Sequence, residues 1–227
     1  MNYLIDNFST VLDLTKTHIY LSLVPLMIGL AIAVPLGTAI RNVGWLRKLT
    51  LSVASIAYTV PSLALFVIVP PLVGLKAVDP LVVVIALTIY STALLIRAVP
   101  EALDSVPAAV IDSSNAMGFG FLRRVLTVDL PLSIPVLTAS VRVVAVTNIS
   151  LVPIGSLIGV HGLGFLFTDG YQRDYLDEIV AGIIAVVVLA LVIDGLLFVI
   201  GRLLTPWTRA GRPSAKKVAA LAKAAQR

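Results

Sequence analysis

The chain has 227 residues, 59% of them hydrophobic and 13% charged, with a mean hydropathy of +1.03. A soluble domain carries roughly 25% charged residues, so this composition excludes a soluble globular enzyme and points to an integral membrane protein. The net charge of +5 then reads as basic cytoplasmic loops, not as a nucleic-acid surface.

Apolar runs of about 20 residues predict helices, because barrel strands alternate and are about half as long. The chain contains no cysteine, which excludes disulfides and thiolate chemistry. His18 and His161 stand alone, which argues against a histidine-built metal site.

Residues 1–17 are mixed and predict a short extracytoplasmic lead, amphipathic or irregular. Asp6, Asp13 and the lack of a basic start argue against a secretory signal. A first span is expected over 18–40, punctuated by Pro25, Gly29, Pro35 and Gly37. A second covers 49–74, with Pro61 in mid-span predicting a kink. Lys76, Asp79 and Pro80 make a tight connection to a third span over 81–99. A long polar loop, 100–129, separates it from a fourth apolar stretch over 130–158. A glycine-rich segment and a polar section lead to a fifth span over 179–200. Residues 18–204 form the membrane domain, and residues from 205 form a basic cytoplasmic tail.

The loop charges orient these spans. With the N-terminus outside, the inner side holds Arg41, Arg47, Lys48, Arg97, Arg123, Arg124 and the arginines and lysines of the tail. The outer side keeps Lys16, Lys76 and Arg173. Five spans, N-terminus out and C-terminus in, satisfy the excess of positive charge on the cytoplasmic side.

The stretch 112–131 reads DSSNAMGFGFLRRVLTVDLP. Pro107 suits the first turn of a short helix. Val110, Ile111, Met117 and Phe121 offer that helix an apolar side, and Asp112 falls near its positive end. Gly118 and Gly120 break it and force a bend. Such a helix either takes force from a partner below the membrane or rests as an amphipathic element on the lipid surface.

The spacing of this loop resembles the Glu-Ala-Ala loop of permease subunits of ATP-binding-cassette importers. Asp112, Ser113 and Ser114 stand at the Glu-Ala-Ala positions, Gly118 at the glycine, and Val128, Leu130 and Pro131 at the closing Ile-x-Leu-Pro. The run TVPSLALF over 59–66 is similar to the TIPSLAL run of permeases for glycine betaine, choline, carnitine or proline. The run GSLIGVHGLG over 155–164 resembles the glycine turn of the same family.

The resemblance implies an all-α membrane protein of the type I (MetI-like) permease fold, in a bacterial or archaeal cytoplasmic membrane. It implies a non-enzymatic subunit that forms a translocation path for compatible solutes. Its partners would be a cytoplasmic ATPase dimer, a second permease subunit, identical or homologous, and an extracytoplasmic solute-binding protein. ATP and Mg would be used by the ATPase; the chain has no GxxxxGK[ST] motif and would bind no cofactor itself. The coupling residues carried over are Asp112, Ser113, Ser114, Gly118, Arg123, Arg124, Leu130 and Pro131.

Pro61, Ser62, Arg142, Asn148 and Asp194 are candidates for the path or a subunit interface. A charge in mid-membrane costs roughly 2.5–3.5 kcal/mol on insertion scales. Arg142 therefore faces a pore or a partner, or pairs inside the chain, and Asp194 is one candidate for that pairing. Asn148 and Thr147 read more readily as hydrogen-bond links between helices than as ligands. The aromatic residues do not cluster along the sequence, so tight recognition of a quaternary ammonium group would sit in a separate protein. The rival reading is a stand-alone secondary transporter or channel driven by an ion gradient.

Overall fold

A bilayer core offers no water to main-chain groups, so a chain this apolar closes its hydrogen bonds within helices. A computed structural model describes residues 2–210, and among these there is no strand. The helices are α1 (Asn2–Asp6), α2 (Phe8–Ile40), α3 (Gly44–Thr59), α4 (Ser62–Val73), α5 (Pro80–Asp104), α6 (Ala108–Ala116), α7 (Phe121–Arg124), α8 (Leu130–Leu151), α9 (Phe165–Gln172), α10 (Leu176–Leu204) and α11 (Trp207–Ala210). A π turn, Val125–Asp129, joins α7 to α8, and a 3-10 segment, Val152–Ile158, follows α8.

Four continuous helical stretches are long and apolar enough to cross a membrane: Phe8–Ile40, Pro80–Asp104, Phe121–Ile158 and Leu176–Leu204. The pair α3 and α4 passes the same test only when taken together, and it is bent by 100° at its break. It makes a fifth span if the two helices cross as one, so the expected five spans correspond to four continuous helices and this bent pair.

The centre of the bundle is α5. Val82, Val83, Ala86, Leu87 and Leu95 are fully buried, and α2, α3, α4 and α8 all pack on this helix. The contact with α2 runs along Gly29, Ala33 and Gly37, four residues apart, so they share one face. A Cβ on Gly29 would lie 2.6 Å from Ser91 Cβ, and one on Gly37 would lie 2.8 Å from Val99 Cβ. In lipid, where helix association rests on close packing, small residues at this spacing let two backbones meet. The last helix, α10, packs mainly on α8 and α9 and leaves most of its apolar surface exposed.

Several expected boundaries move. The lead over 1–17 is not a separate irregular segment: α2 starts at Phe8 and continues into the span. No proline or glycine stands between Phe8 and Val24 to stop it. Its 33 residues reach about 50 Å at 1.5 Å per residue. The third span runs through Pro100 to Asp104, so the polar loop begins at Ser105 and not at 100. The second span is divided, not merely kinked. Val60 and Pro61 are both extended, at ψ 128° and 137°, as a residue preceding proline is biased to be. Asp79 caps α5 by accepting from the Leu81 N–H, with Pro80 in the first turn. Of the tail from 205, residues 211–227 lie outside the described residues.

Replacing Gly29 with leucine should lower the melting temperature of the purified chain in detergent, because overpacking costs typically 1–3 kcal/mol. Gly44→Ala is the control, since a Cβ there meets nothing within 4 Å. Equal melting temperatures for the two variants would refute the close-packed α2–α5 contact.

Candidate coupling site

The loop between the third and fourth spans begins with Pro107, whose extended backbone precedes α6. Nine residues later the helix closes by a glycine cap. Gly118 sits at φ +80°, its N–H donates to the Asn115 carbonyl (2.9 Å), and the Phe119 N–H donates to the Ser114 carbonyl (3.1 Å). This pair of bonds is the Schellman arrangement. A Cβ at Gly118 would meet nothing within 4 Å. The glycine is therefore required by backbone conformation, not by space.

The three residues at the Glu-Ala-Ala positions lie in the middle and second half of α6. Asp112 is fifth of nine, so it does not sit at the positive helix end. It is exposed and, among the described residues, makes no ion pair. Ser113 and Ser114 turn their hydroxyls back onto the carbonyls of Ala109 and Val110, both at 2.7 Å. Ser114 is buried and Ser113 is exposed. Val110 and Ile111 are half-buried. Met117, Phe121, Leu122 and Leu126 stay exposed, which leaves an apolar patch beside the basic pair. Phe121 belongs to α7, not to the apolar side of α6.

Leu130 and Pro131 do not open the fourth span, because the helical run has already started at Phe121. Proline has no N–H, and its ring crowds the carbonyl four residues back. The chain relieves this by widening Val125–Asp129 into a π turn, in which the Leu130 N–H reaches the Val125 carbonyl. Arg123 and Arg124 are thus helical. The Arg123 guanidinium lies 4.4 Å from the Phe119 ring centroid.

Arg124 ties the loop to the bundle. Its Nη1 donates to Asn115 Oδ1 at the end of α6 (2.8 Å), and its Nε lies 3.4 Å from Asp129 Oδ2. Asp129 is fully buried. Arg41, at the end of α2, donates to the same Asp129 oxygen (3.1 Å), to Asp104 Oδ1 (2.8 Å) and to the Leu103 carbonyl (2.8 Å). Arg47 at the start of α3 donates to the other Asp104 oxygen (3.0 Å). One ionic chain therefore joins α6, the π turn and the adjacent ends of α2, α3 and α5. Asp104, Asn115 and Asp129 are not among the site residues expected from the sequence, and Arg41 enters there only as a loop charge. The local signal was weak: a lone acid, Asp129, stands at the threshold of an apolar run five residues after a basic pair.

In the membrane, Arg142 and Asp194 form a two-point ion pair, Nε to Oδ1 at 2.8 Å and Nη2 to Oδ2 at 2.5 Å. The pair joins α8 to α10, and the Arg142 guanidinium stands 5.1 Å from the Phe198 ring centroid. The pair is about one-third exposed, and Arg142 borders a cavity of ≈ 480 Å³ with Pro135, Thr138 and Phe198. Asn148 is instead fully buried. Its Nδ2 donates to the Ser22 carbonyl (3.0 Å) and to Ser91 Oγ (2.8 Å), so it links α8 to α2 and α5 and does not line an open path. Pro61 precedes α4, which starts at Ser62, and the Tyr90 hydroxyl donates to the Val60 carbonyl at the break. Tyr58 and Tyr90 meet edge to face at 5.7 Å. The fold thus brings together two aromatic residues that are far apart in sequence.

A helical bundle with four or five candidate spans, a capped loop helix and an ion pair between two spans defines an integral membrane protein. Residues 26–210 match the family of binding-protein-dependent transport system inner membrane components, and the chain belongs to that family. It is 34% identical to the osmoprotectant import permease protein OsmW of Salmonella typhimurium, over 91% of this chain and 97% of that one. It is 31% identical to the glycine betaine/carnitine/choline transport system permease protein OpuCB of Bacillus subtilis, over 91% and 94%. Its fold matches a chain of the MetNI methionine ABC transporter in an inward-facing conformation, with a TM-score of 0.75, covering 86% of this chain and 96% of that one at 23% identity. The chain is an integral membrane permease component and not an enzyme.

Gly118→Ala should destabilise the α6 terminus by about 1–2 kcal/mol, the cost of a left-handed residue with a side chain. Gly118→Asn should cost less, because asparagine tolerates this conformation. Amide hydrogen exchange in α6 reads the order, and equal exchange in the two variants would refute the conformational requirement. Asp129→Asn should lower the melting temperature far more than Asp13→Asn, which breaks an exposed pair. Removing one member of a buried ionic set costs about 3–5 kcal/mol.

Proposed function

We propose that the chain is the permease subunit of an ATP-driven importer for small compatible solutes bearing a quaternary ammonium group, such as glycine betaine, choline or carnitine. The observation that carries this reading is the near-full-length similarity to permeases named for those solutes. The N-terminus lies outside and the C-terminus in the cytoplasm, in keeping with the basic residues at 41, 47, 48, 123 and 124 on one side. Two permease subunits, identical or homologous, enclose the path, and an extracytoplasmic binding protein delivers the solute.

A cytoplasmic ATPase dimer docks on α6 and on the exposed apolar residues Met117, Phe121 and Leu122 beside it. ATP and Mg act in that partner. Closure of the ATPases displaces α6, and the chain Asn115–Arg124–Asp129–Arg41 carries the displacement to the ends of α2, α3 and α5. Arg41 is the most firmly held member of this link, with bonds to Asp104, Asp129 and the Leu103 carbonyl. Arg142 and Asp194 border the path or the interface with the second permease, where their charge is kept from lipid.

The test is reconstitution in liposomes with the cognate ATPase and binding protein, with radiolabelled glycine betaine, choline and carnitine as solutes. Uptake should require ATP and all three components. Flux through the chain alone under an ion gradient would overturn the ATP-driven reading in favour of a secondary transporter. ATP-driven uptake of other solutes with none of these three would overturn the solute class alone.

A further inference from the structure

His18 stands 131 residues from Ile149, yet its Nε2 lies 3.0 Å from the Ile149 carbonyl oxygen. The side chain is fully buried, and Nδ1 has no hydrogen-bond partner. A carbonyl oxygen only accepts, so the ring donates from Nε2 and leaves Nδ1 as a bare lone pair.

The Ile149 carbonyl has a specific need for this donor. In an α-helix it would accept from the N–H four residues on. That residue is Pro153, which has none. At this point α8 gives way to the 3-10 segment. A buried carbonyl left unpaired in a bilayer has no water to replace the lost donor.

A second bond lies one helical turn along α2. Asn148, next to Ile149, donates to the Ser22 carbonyl at 3.0 Å, and Ser22 in turn donates to the His18 carbonyl at 2.9 Å. The glycine turn then packs on the same joint. A Cβ on Gly164 would lie 2.4 Å from Pro153 Cα, and one on Gly162 would lie 3.7 Å from His18 Nδ1. Wherever the Ile149–Pro153 joint is held, the turn over 159–164 is held with it.

We propose that His18 is a positioning residue for transport: it replaces the main-chain donor that Pro153 lacks, and so locks α2, α8 and the glycine turn into one body. None of the functions assigned above uses His18 or Pro153. The inference depends on the transport reading only through the uptake measurement, and two of its readouts are independent of the solute.

His18→Leu removes the donor and keeps an apolar side chain. In the assembled importer with ATPase and binding protein, uptake of radiolabelled choline and glycine betaine should fall about tenfold, the scale expected for one buried acceptor left unpaired. Adding Pro153→Ala restores an N–H four residues after Ile149 and should recover most of the loss. A packing defect at position 18 would not be repaired from position 153. His18→Gln, which retains a donor, should fall between the wild type and His18→Leu. If His18→Leu prevents insertion, the same rescue by Pro153→Ala is read on insertion. Nitrogen-15 spectra of histidine-labelled importer should show neutral His18 protonated at Nε2. Undiminished uptake by His18→Leu would overturn the proposal, as would failure of Pro153→Ala to rescue it or a ring protonated at Nδ1. If no variant or wild-type importer carries either solute, the solute class falls. The rescue on insertion and the tautomer then still decide the role of His18.

Discussion

A carbonyl without a donor inside a bilayer cannot turn to water. This requirement is met in three different ways at three proline-marked irregularities of the membrane domain. At Pro61 the second span breaks, and the Tyr90 hydroxyl from α5 donates to the Val60 carbonyl. At Pro131 the helix widens into a π turn and closes its ring with the Leu130 N–H. At Pro153 the helix tightens into a 3-10 segment, and His18 from α2 supplies the donor. Two of the three repairs come from neighbouring helices. The breaks therefore tie the bundle together instead of loosening it.

Charge obeys the same economy. Asp129 is fully buried, and it is held between Arg41 and Arg124. Arg142 and Asp194 neutralise one another between α8 and α10. Such pairs add little net stability over an apolar core, because desolvation offsets most of their attraction. They do fix geometry, since an acid surrounded by arginines has few alternative partners. The Asp129 set links the end of α6, through Asn115 and Arg124, to the ends of α2 and α5.

The loop spacing that resembled an importer motif has a physical meaning in the structure. The glycine six residues after Asp112 is the residue that ends α6 in a left-handed cap. Arg123 and Arg124 follow five and six residues later and are helical because α7 has already begun. The acid itself is exposed and makes no ion pair among the described residues, which suits a residue turned toward a partner. The serine pair occupies the small positions by folding its hydroxyls onto the helix, so two polar residues act there as small ones.

By itself the sequence determined the class, the long apolar helices, a polar loop between the third and fourth apolar stretches, a disturbance at Pro61 and Gly118 as a residue that ends a helix. These follow from composition, from runs of apolar residues and from the local chemistry of proline and glycine, all of which act within a few residues. Only the tertiary structure decided that Asn148 is a buried link, that Arg142 is paired with Asp194, that Tyr58 meets Tyr90, and that Arg41, Asp104 and Asp129 form one ionic chain. Arg142 and Asp194 lie 52 residues apart, Arg41 and Asp129 lie 88 apart, and Asn148 and Ser22 lie 126 apart. Hydropathy and spacing carry no signal over such separations, because the pairing is set by which helix faces which. That choice belongs to close packing along Gly29, Ala33 and Gly37, and it is made only when the helices assemble.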